Sequence, residues 1–229
     1  MDICIEHFVS GAKKAEGVAV IIDVFRACTT AAYVFNSKAK KIIPIGEIEK
    51  CFSLKKQNPD FVLLGERNGI KIDGFDYGNS PSKVKEIDFR GKTVVMSTSA
   101  GTQGIVNADK VDKILLGSFV NVDSTLKYIE RLKPRVVSFV PCGIAGKKYC
   151  KEDFLCAEYM KKTLLDENPD FNGIKQEIKD YKTSMKFFDE EQPVFPEEDF
   201  YCSMNLNRFN FVMKAYKNNG LWEIKKIKD

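Results

Sequence analysis

The sequence predicts a three-layer α/β/α fold built on a mostly parallel, mixed sheet. Three observations carry this reading. Short apolar runs rich in β-branched residues (GVAVII, TVVM, RVVSFV) recur along the chain, and continuous runs of that kind suit strands buried on both faces. Segments of helical period alternate with them, as in strand–helix–strand units. Polar residues then gather just after the runs, where open α/β sheets collect ligands.

Taken in order, residues 2–8 read as a first strand and residues 17–23 as the central one, ending at Asp23. Helix 27–36 follows, then KKIIPI as a strand with Pro44 near its end, a helix over 46–57 and FVLLG (61–65) as a short buried strand. A long loop runs from Glu66 to Ser82. TVVMS, a short helix after Gly101, KILLG, a helix from Asn121 to Leu132 and RVVSFV, ending at Pro141, continue the alternation. Helix 149–166 sets Phe154, Ala157, Met160 and Leu164 on one face. Residues 167–198 are polar and acidic, with a short helix near 174–182 and prolines at Pro193 and Pro196, and read as an excursion or lid. A helix from Glu198 to Lys217 and the strand LWEIKKI are expected to pack back on the body. Residues 1–229 read as a single domain, a size and apolar content (44%) able to bury one large core.

Composition narrows the function. A net charge of +4 on 30% charged residues, with scattered lysines, leaves no electrostatic footprint for nucleic acid. No apolar run approaches the roughly 20 residues that span a bilayer, and MDICIEHF lacks the basic and apolar regions of a signal peptide. Seven cysteines with no CxxC pair predict a reduced, cytoplasmic chain without disulfides or structural zinc. The single histidine, His7, sits in an alternating segment and reads as structural; one imidazole excludes metal centres built on several. A metal here would take oxygen ligands, and Mg²⁺ is the natural candidate.

The polar clusters give the site. Asp23, Arg26, Thr29 and Thr30 follow the second strand; Glu66 and Arg67, then Asp76, Asn79 and Ser80, follow FVLLG. Ser97, Thr98, Ser99, Gly101 and Thr102 follow TVVM; Gly117, Ser118 and Asn121 follow KILL; Cys142, Gly143, Gly146, Glu152 and Asp153 follow RVVSFV. Singly, each has a structural explanation: Asp23 as a helix cap with Arg26 paired to it, STSAGT as a cap and tight turn, GFDYGNSPS as turn chemistry. Together, at one end of successive strands, they favour a metal-assisted site for an oxyanion. Familiar phosphatase signatures are missing. Asp23 is followed by Val24 and Phe25 rather than by a second aspartate two residues on, Lys148 stands where a thiol phosphatase needs arginine after Cys142, and neither GxxxxGK[ST] nor GxGxxG occurs.

The segments IDVFRACTT, GERNGIKIDGFDYGNSPS, STSAGT, GSFVN and CGIAGKKYCKEDFLCA occur in this order. The chain resembles the 2-phosphosulfolactate phosphatase family of coenzyme M biosynthesis, strongly over residues 1–160 and weakly over the C-terminal third. The resemblance implies a Mg²⁺-dependent acid phosphatase that releases phosphate from 2-phospho-3-sulfolactate and accepts other 2-hydroxycarboxylic acid phosphates. On that reading Asp23, Glu66, Asp76 and Asp153 are the candidate metal ligands. Arg26 stabilises charge on the transferring group. Arg67, Lys71, Asn79, Ser80, Ser97, Thr98, Ser99, Thr102, Ser118, Asn121 and Gly143 are candidates to bind substrate. The attacking group is a metal-activated water, Asp23 or Cys142. STSAGT stands where the family often has TTNGT, so Ala100 offers less hydrogen bonding. A phosphatase for another 2-hydroxy acid ester and a non-catalytic sensor of an anionic metabolite are the alternatives. The partner implied is a small anionic phosphate ester, with neither nucleic acid nor membrane, and a homodimer would be unsurprising.

Overall fold

A computed structural model describes residues 1–228; Asp229, the last residue of the expected domain, lies outside the described residues. The elements run β1 (Asp2–Ile5), α1 (Phe8–Ala12), β2 (Val18–Ile22), α2 (Ala27–Asn36), β3 (Lys41–Pro44), α3 (Ile48–Gln57), β4 (Val62–Arg67) and β5 (Ile70–Lys71). They continue α4 (Pro81–Val84), β6 (Thr93–Ser97), α5 (Gly101–Asn107), β7 (Lys113–Gly117), α6 (Val122–Leu132), β8 (Val136–Pro141), α7 (Lys151–Leu164), α8 (Phe171–Lys179) and α9 (Lys182–Met185). The chain ends with α10 (Glu197–Ser203), β9 (Phe211–Asn218) and β10 (Leu221–Lys228).

The α/β class and the mixed, mostly parallel sheet are as expected: ten strands lie in the order β1-β8-β2-β7-β9-β10-β3-β6-β4-β5. Every residue of β2 and β6 is buried, as their unbroken apolar runs require. Alternate strand residues feed two faces. Ile21, Ile42, Leu64, Met96, Leu116 and Met213 pack under α2, α4 and α5. Val20, Leu115, Phe139 and Val212 pack under α6, α7 and α10, and Ile43, Leu63 and Val95 under α3.

Three expectations change. The first strand stops at Ile5 rather than at residue 8, because Phe8 adopts a positive φ of 66° and Gly11 packs directly on the Glu6 backbone, turning the chain into α1. The long loop carries structure: Asn68 and Gly69, both at positive φ, form a two-residue turn that pairs Arg67 with Ile70. The helix expected from Glu198 to Lys217 ends at Ser203, and residues 211–228 form a hairpin turned at Asn219 and Gly220. Its eight residue pairs run from Leu221↔Asn218 to Lys228↔Phe211.

That hairpin also changes the sense of the sheet. β7–β9, β9–β10 and β10–β3 are all antiparallel, so the parallel group β1-β8-β2-β7 and the parallel group β3-β6-β4 have opposite senses where the hairpin joins them. The polar clusters are therefore not delivered to one edge by a uniform sheet. The loop after β6 brings them together, reaching from its own group to the end of β2.

Residues 167–198 are not a bare surface excursion. Ile178 and Phe187 are buried against the second face of the sheet, with Phe171, Ile174, Phe188 and Phe195 packed around them.

Candidate active site

The site begins where β2 ends. Asp23 Oδ1 accepts from the Ala27 amide at 3.0 Å, and Oδ2 accepts from the Gly101 amide at 2.8 Å. The first bond starts α2, and the second ties α5 to the strand. A Cβ on Gly101 would stand 2.9 Å from Oδ2 and 2.8 Å from the Ala27 Cβ, so glycine lets the loop approach. Asp23 is thus a helix-capping group and a cavity group at once.

The β8–α7 connection supplies the opposite wall. Asp153 Oδ1 accepts from the Val24 amide at 2.7 Å and Oδ2 from the Gly143 amide at 2.9 Å. Glu152 accepts from the Thr183 hydroxyl at 2.8 Å. Cys150, Glu152 and Asp153 each place one ligand atom within 4.8 Å of the others, and all three are buried. Glu66, from the end of β4, accepts from the Gly69 amide at 2.7 Å and the Ser99 amide at 2.8 Å.

These four carboxylates line one cavity of about 280 Å³, together with Arg26, Lys186, Asn68, Asn79 and Ser99. Burial pushes the Asp23 carboxyl up to about 6, and the charges of Glu66 and Glu152 push the same way. Burial, then Asp23 and Glu152, hold Asp153 well above the carboxylate range, and burial raises Glu152 as well. Acids that raise one another in a buried cavity are short of positive charge. The donor set fits a hard divalent cation: carboxylate oxygens, each already oriented by a backbone amide or hydroxyl, around a common space. Glu152 and Asp153 are the residues that would hold Mg²⁺, while Asp23, also expected among the ligands, lines the same cavity outside their close cluster.

Arg26 is firmly placed. Nη1 donates to Asp199 Oδ2 at 2.6 Å and to the Val194 carbonyl at 3.0 Å, Nη2 donates to the Gly69 carbonyl at 3.1 Å, and the guanidinium lies 4.9 Å from the Phe195 ring centroid. Asp199 Oδ1 accepts from the Ser80 hydroxyl, the Ser82 amide and the Ser82 hydroxyl at 2.8, 2.9 and 2.6 Å.

Of the residues the sequence nominated, Asp23, Arg26, Glu66, Asn79, Ser99, Gly143 and Asp153 share this cavity. Asn79 is buried, and its Oδ1 has no hydrogen-bond partner. Ser80 and Lys71 instead line a neighbouring cavity that meets the first across Arg26, Gly69 and Asn79. Asp76 lies on that side too: Oδ2 accepts from the Leu63 amide at 2.7 Å and pairs with Lys55 at 3.4 Å, so it is a strand-end anchor and does not join the cation set.

The remaining nominees face elsewhere. Arg67 donates to Ser97 Oγ at 2.8 Å and to the Gly46 carbonyl at 2.9 Å, locking strand ends. Thr98 and Thr102 bond each other, Thr102 Oγ1 donating to the Thr98 carbonyl at 2.8 Å. Ser118 and Asn121 form a capping box, with Ser118 Oγ 2.7 Å from Thr29 Oγ1. Cys142 is fully buried and does not line the cavity. Burial, Asp23 and Asp153 push its thiol well up, the reverse of what a thiolate nucleophile needs. A small apolar residue at a strand end describes it.

Three residues complete the site beyond the sequence-based set. Glu152 was legible as the neighbour of Asp153 in the same polar cluster. Lys186 and Asp199 carried no local signal, since they reach the site only through the packing of residues 182–203.

A family model described as 2-phosphosulpholactate phosphatase matches residues 5–217. Among similar proteins, the probable 2-phosphosulfolactate phosphatase of Bacillus subtilis is 31% identical over 92% of this chain and 92% of its own length. That of Caldicellulosiruptor saccharolyticus is 38% identical over 68% of this chain, and that of Clostridium perfringens 37% over 62%. In these last two the match spans 65% and 59% of the relative's length, less than two thirds.

Proposed function

The chain belongs to the 2-phosphosulpholactate phosphatase family, and from that premise we propose that it is a Mg²⁺-dependent phosphoric monoester hydrolase acting on 2-phospho-3-sulfolactate in coenzyme M biosynthesis. The observation that carries the reading is the meeting of Asp23, Glu66, Glu152 and Asp153 with Arg26 and Lys186 around one cavity. The carboxylates suit a divalent cation, and the cationic groups among them suit an ester bearing several negative charges.

Bound by Glu152 and Asp153, Mg²⁺ would supply Lewis-acid polarisation of a phosphoryl oxygen. The rest falls to the chain's own groups. Water is the attacking species. Cys142 is off the cavity, and both Asp23 oxygens are occupied by backbone amides, which blunts them as nucleophiles. Asp23, a carboxylate of the same cavity, is the group suited to take the proton of that water. The Ser99 hydroxyl is suited to donate to the acid portion of the ester, whereas the unpartnered Asn79 Oδ1 is an acceptor and suits a donor such as a water in the site. The free cysteines, six of the seven buried, suit the reducing cytoplasm. Among the described residues no helix is long and apolar enough to cross a membrane.

Phosphate release from 2-phospho-3-sulfolactate and from phospholactate, each with Mg²⁺ and with EDTA, tests the proposal. EDTA-sensitive release with preference for the sulfonated ester is expected. Equal rates on both esters would remove the sulfolactate assignment, and no release from either would remove the phosphatase itself.

A further inference from the structure

We propose that Lys186 grips the phosphoryl group of the substrate, binding its oxygens through Nζ, and that residues 182–196 form a standing wall of the active site. The proposal rests on the phosphatase reading above and adds to it the residue that holds the transferring group.

Two cations line the cavity, and they differ in how far their charge is already met by the protein. Arg26 spends its Nη groups on Asp199, Val194 and Gly69, and with the fully buried Asp199 it forms a pair of no net charge. Lys186 has neither an ion pair nor a hydrogen bond among the described residues. Its Nζ lies 4.6 Å from the Phe195 ring centroid and 5.3 Å from that of Phe187, so aromatic faces steady the ammonium without neutralising it. A partly buried charge held this way is costly until an anion reaches it.

The groups facing Lys186 are Glu152, Arg26, Cys150 and Asp23. Neither carboxylate comes within ion-pair reach, and burial, reinforced by Arg26, pulls the lysine down. An ammonium is a compact charge with three donors, matched to a phosphoryl group whose charge is spread over its oxygens.

The wall is built rather than draped. Phe187 and Ser184 are buried, and the Thr183 hydroxyl donates to Glu152 at 2.8 Å, so the segment that presents Lys186 is fastened to the carboxylate wall it faces.

The test is calorimetric titration of inorganic phosphate, with Mg²⁺ present, into the wild type, Lys186→Met, Lys186→Arg and the exposed control Lys182→Met. Lys186→Met should weaken phosphate binding by about tenfold or more, with neither Tm nor Mg²⁺ affinity lowered. Lys186→Arg should recover most of the loss, and Lys182→Met should match wild type. With an ester that the wild type hydrolyses, kcat/KM should fall about 10²–10³-fold in Lys186→Met, as on removal of one preorganised charge-stabilising donor. Phosphate binding by Lys186→Met within about twofold of wild type, or none by wild type, overturns the proposal. A wild type that binds phosphate through Lys186 yet hydrolyses no ester would sink the phosphatase reading and leave Lys186 as an anion-binding residue only.

Discussion

Asp199 and Arg26 lie 173 residues apart in sequence and 2.6 Å apart in the fold, both buried. The aspartate also takes three hydrogen bonds from Ser80 and Ser82, so one carboxylate joins α10, the start of α4 and the β2–α2 turn. Removing it strands a buried guanidinium. Asp199→Ala should cost about 3–5 kcal/mol of stability, measured by urea denaturation, and Asp199→Asn less, because its amide oxygen still accepts. A loss of under about 1 kcal/mol, the range of surface pairs, would show that Arg26 is held without it.

The acid cluster predicts an unusual pH dependence for the metal-free protein. A carboxyl whose folded pKa lies above its unfolded value binds its proton more tightly when folded, so stability is greatest below the window and lost as pH rises through it. For Asp23, raised from 3.8 to about 6, the loss amounts to about 3 kcal/mol at most. In EDTA, Asp23→Asn should therefore gain stability relative to wild type between about pH 4 and 6. A difference that does not change with pH would mean that the carboxyl titrates normally.

Cation binding should divide the nominated acids. Glu152→Gln and Asp153→Asn should each weaken Mg²⁺ binding by about tenfold or more, whereas Asp76→Asn should leave it unchanged, because Asp76 serves Leu63 and Lys55. Mg²⁺ titration by calorimetry decides this, and an equal loss in all three would return Asp76 to the ligand set.

Cys142→Ala should keep most of the turnover, since the thiol lies off the cavity. Gly104→Ala should do more harm: its new methyl would stand 2.8 Å from Ile21 Cγ2 and 2.9 Å from Cys142 Sγ, overpacking worth about 1–3 kcal/mol. Loss of turnover in a folded Cys142→Ala protein would restore the cysteine as a candidate nucleophile.

The strand ends were legible because buried strands advertise themselves by unbroken apolar runs, and Asp23, Asp153 and Glu66 stand at or soon after those ends. The tail carries its own signal for a hairpin. Phe209, Phe211, Met213 and Ala215 alternate toward one core, and Asn219 with Gly220 closes the turn; period two and an Asn–Gly pair mark a hairpin, not a helix. The same pair at Asn68 and Gly69 announced the hairpin inside the long loop. The hydroxyls and amide after the strand ends are no guide to the cavity, because Ser97, Thr98, Thr102, Ser118 and Asn121 spend their bonds on Arg67, Thr29, nearby backbone and one another. Lys186 and Asp199 were beyond reach, as nothing in local pattern encodes a contact made across more than a hundred residues.

The hairpin of β9 and β10 sits between β7 and β3, at the middle of the sheet. Its residues are the last of the ten strands to be synthesised. On the ribosome, both halves of the sheet must wait with one inner edge unpaired until residues 211–228 emerge. Those edges are the places where nascent chains pair wrongly or invite a chaperone. Final assembly is therefore a late, long-range step, of the kind that slows folding.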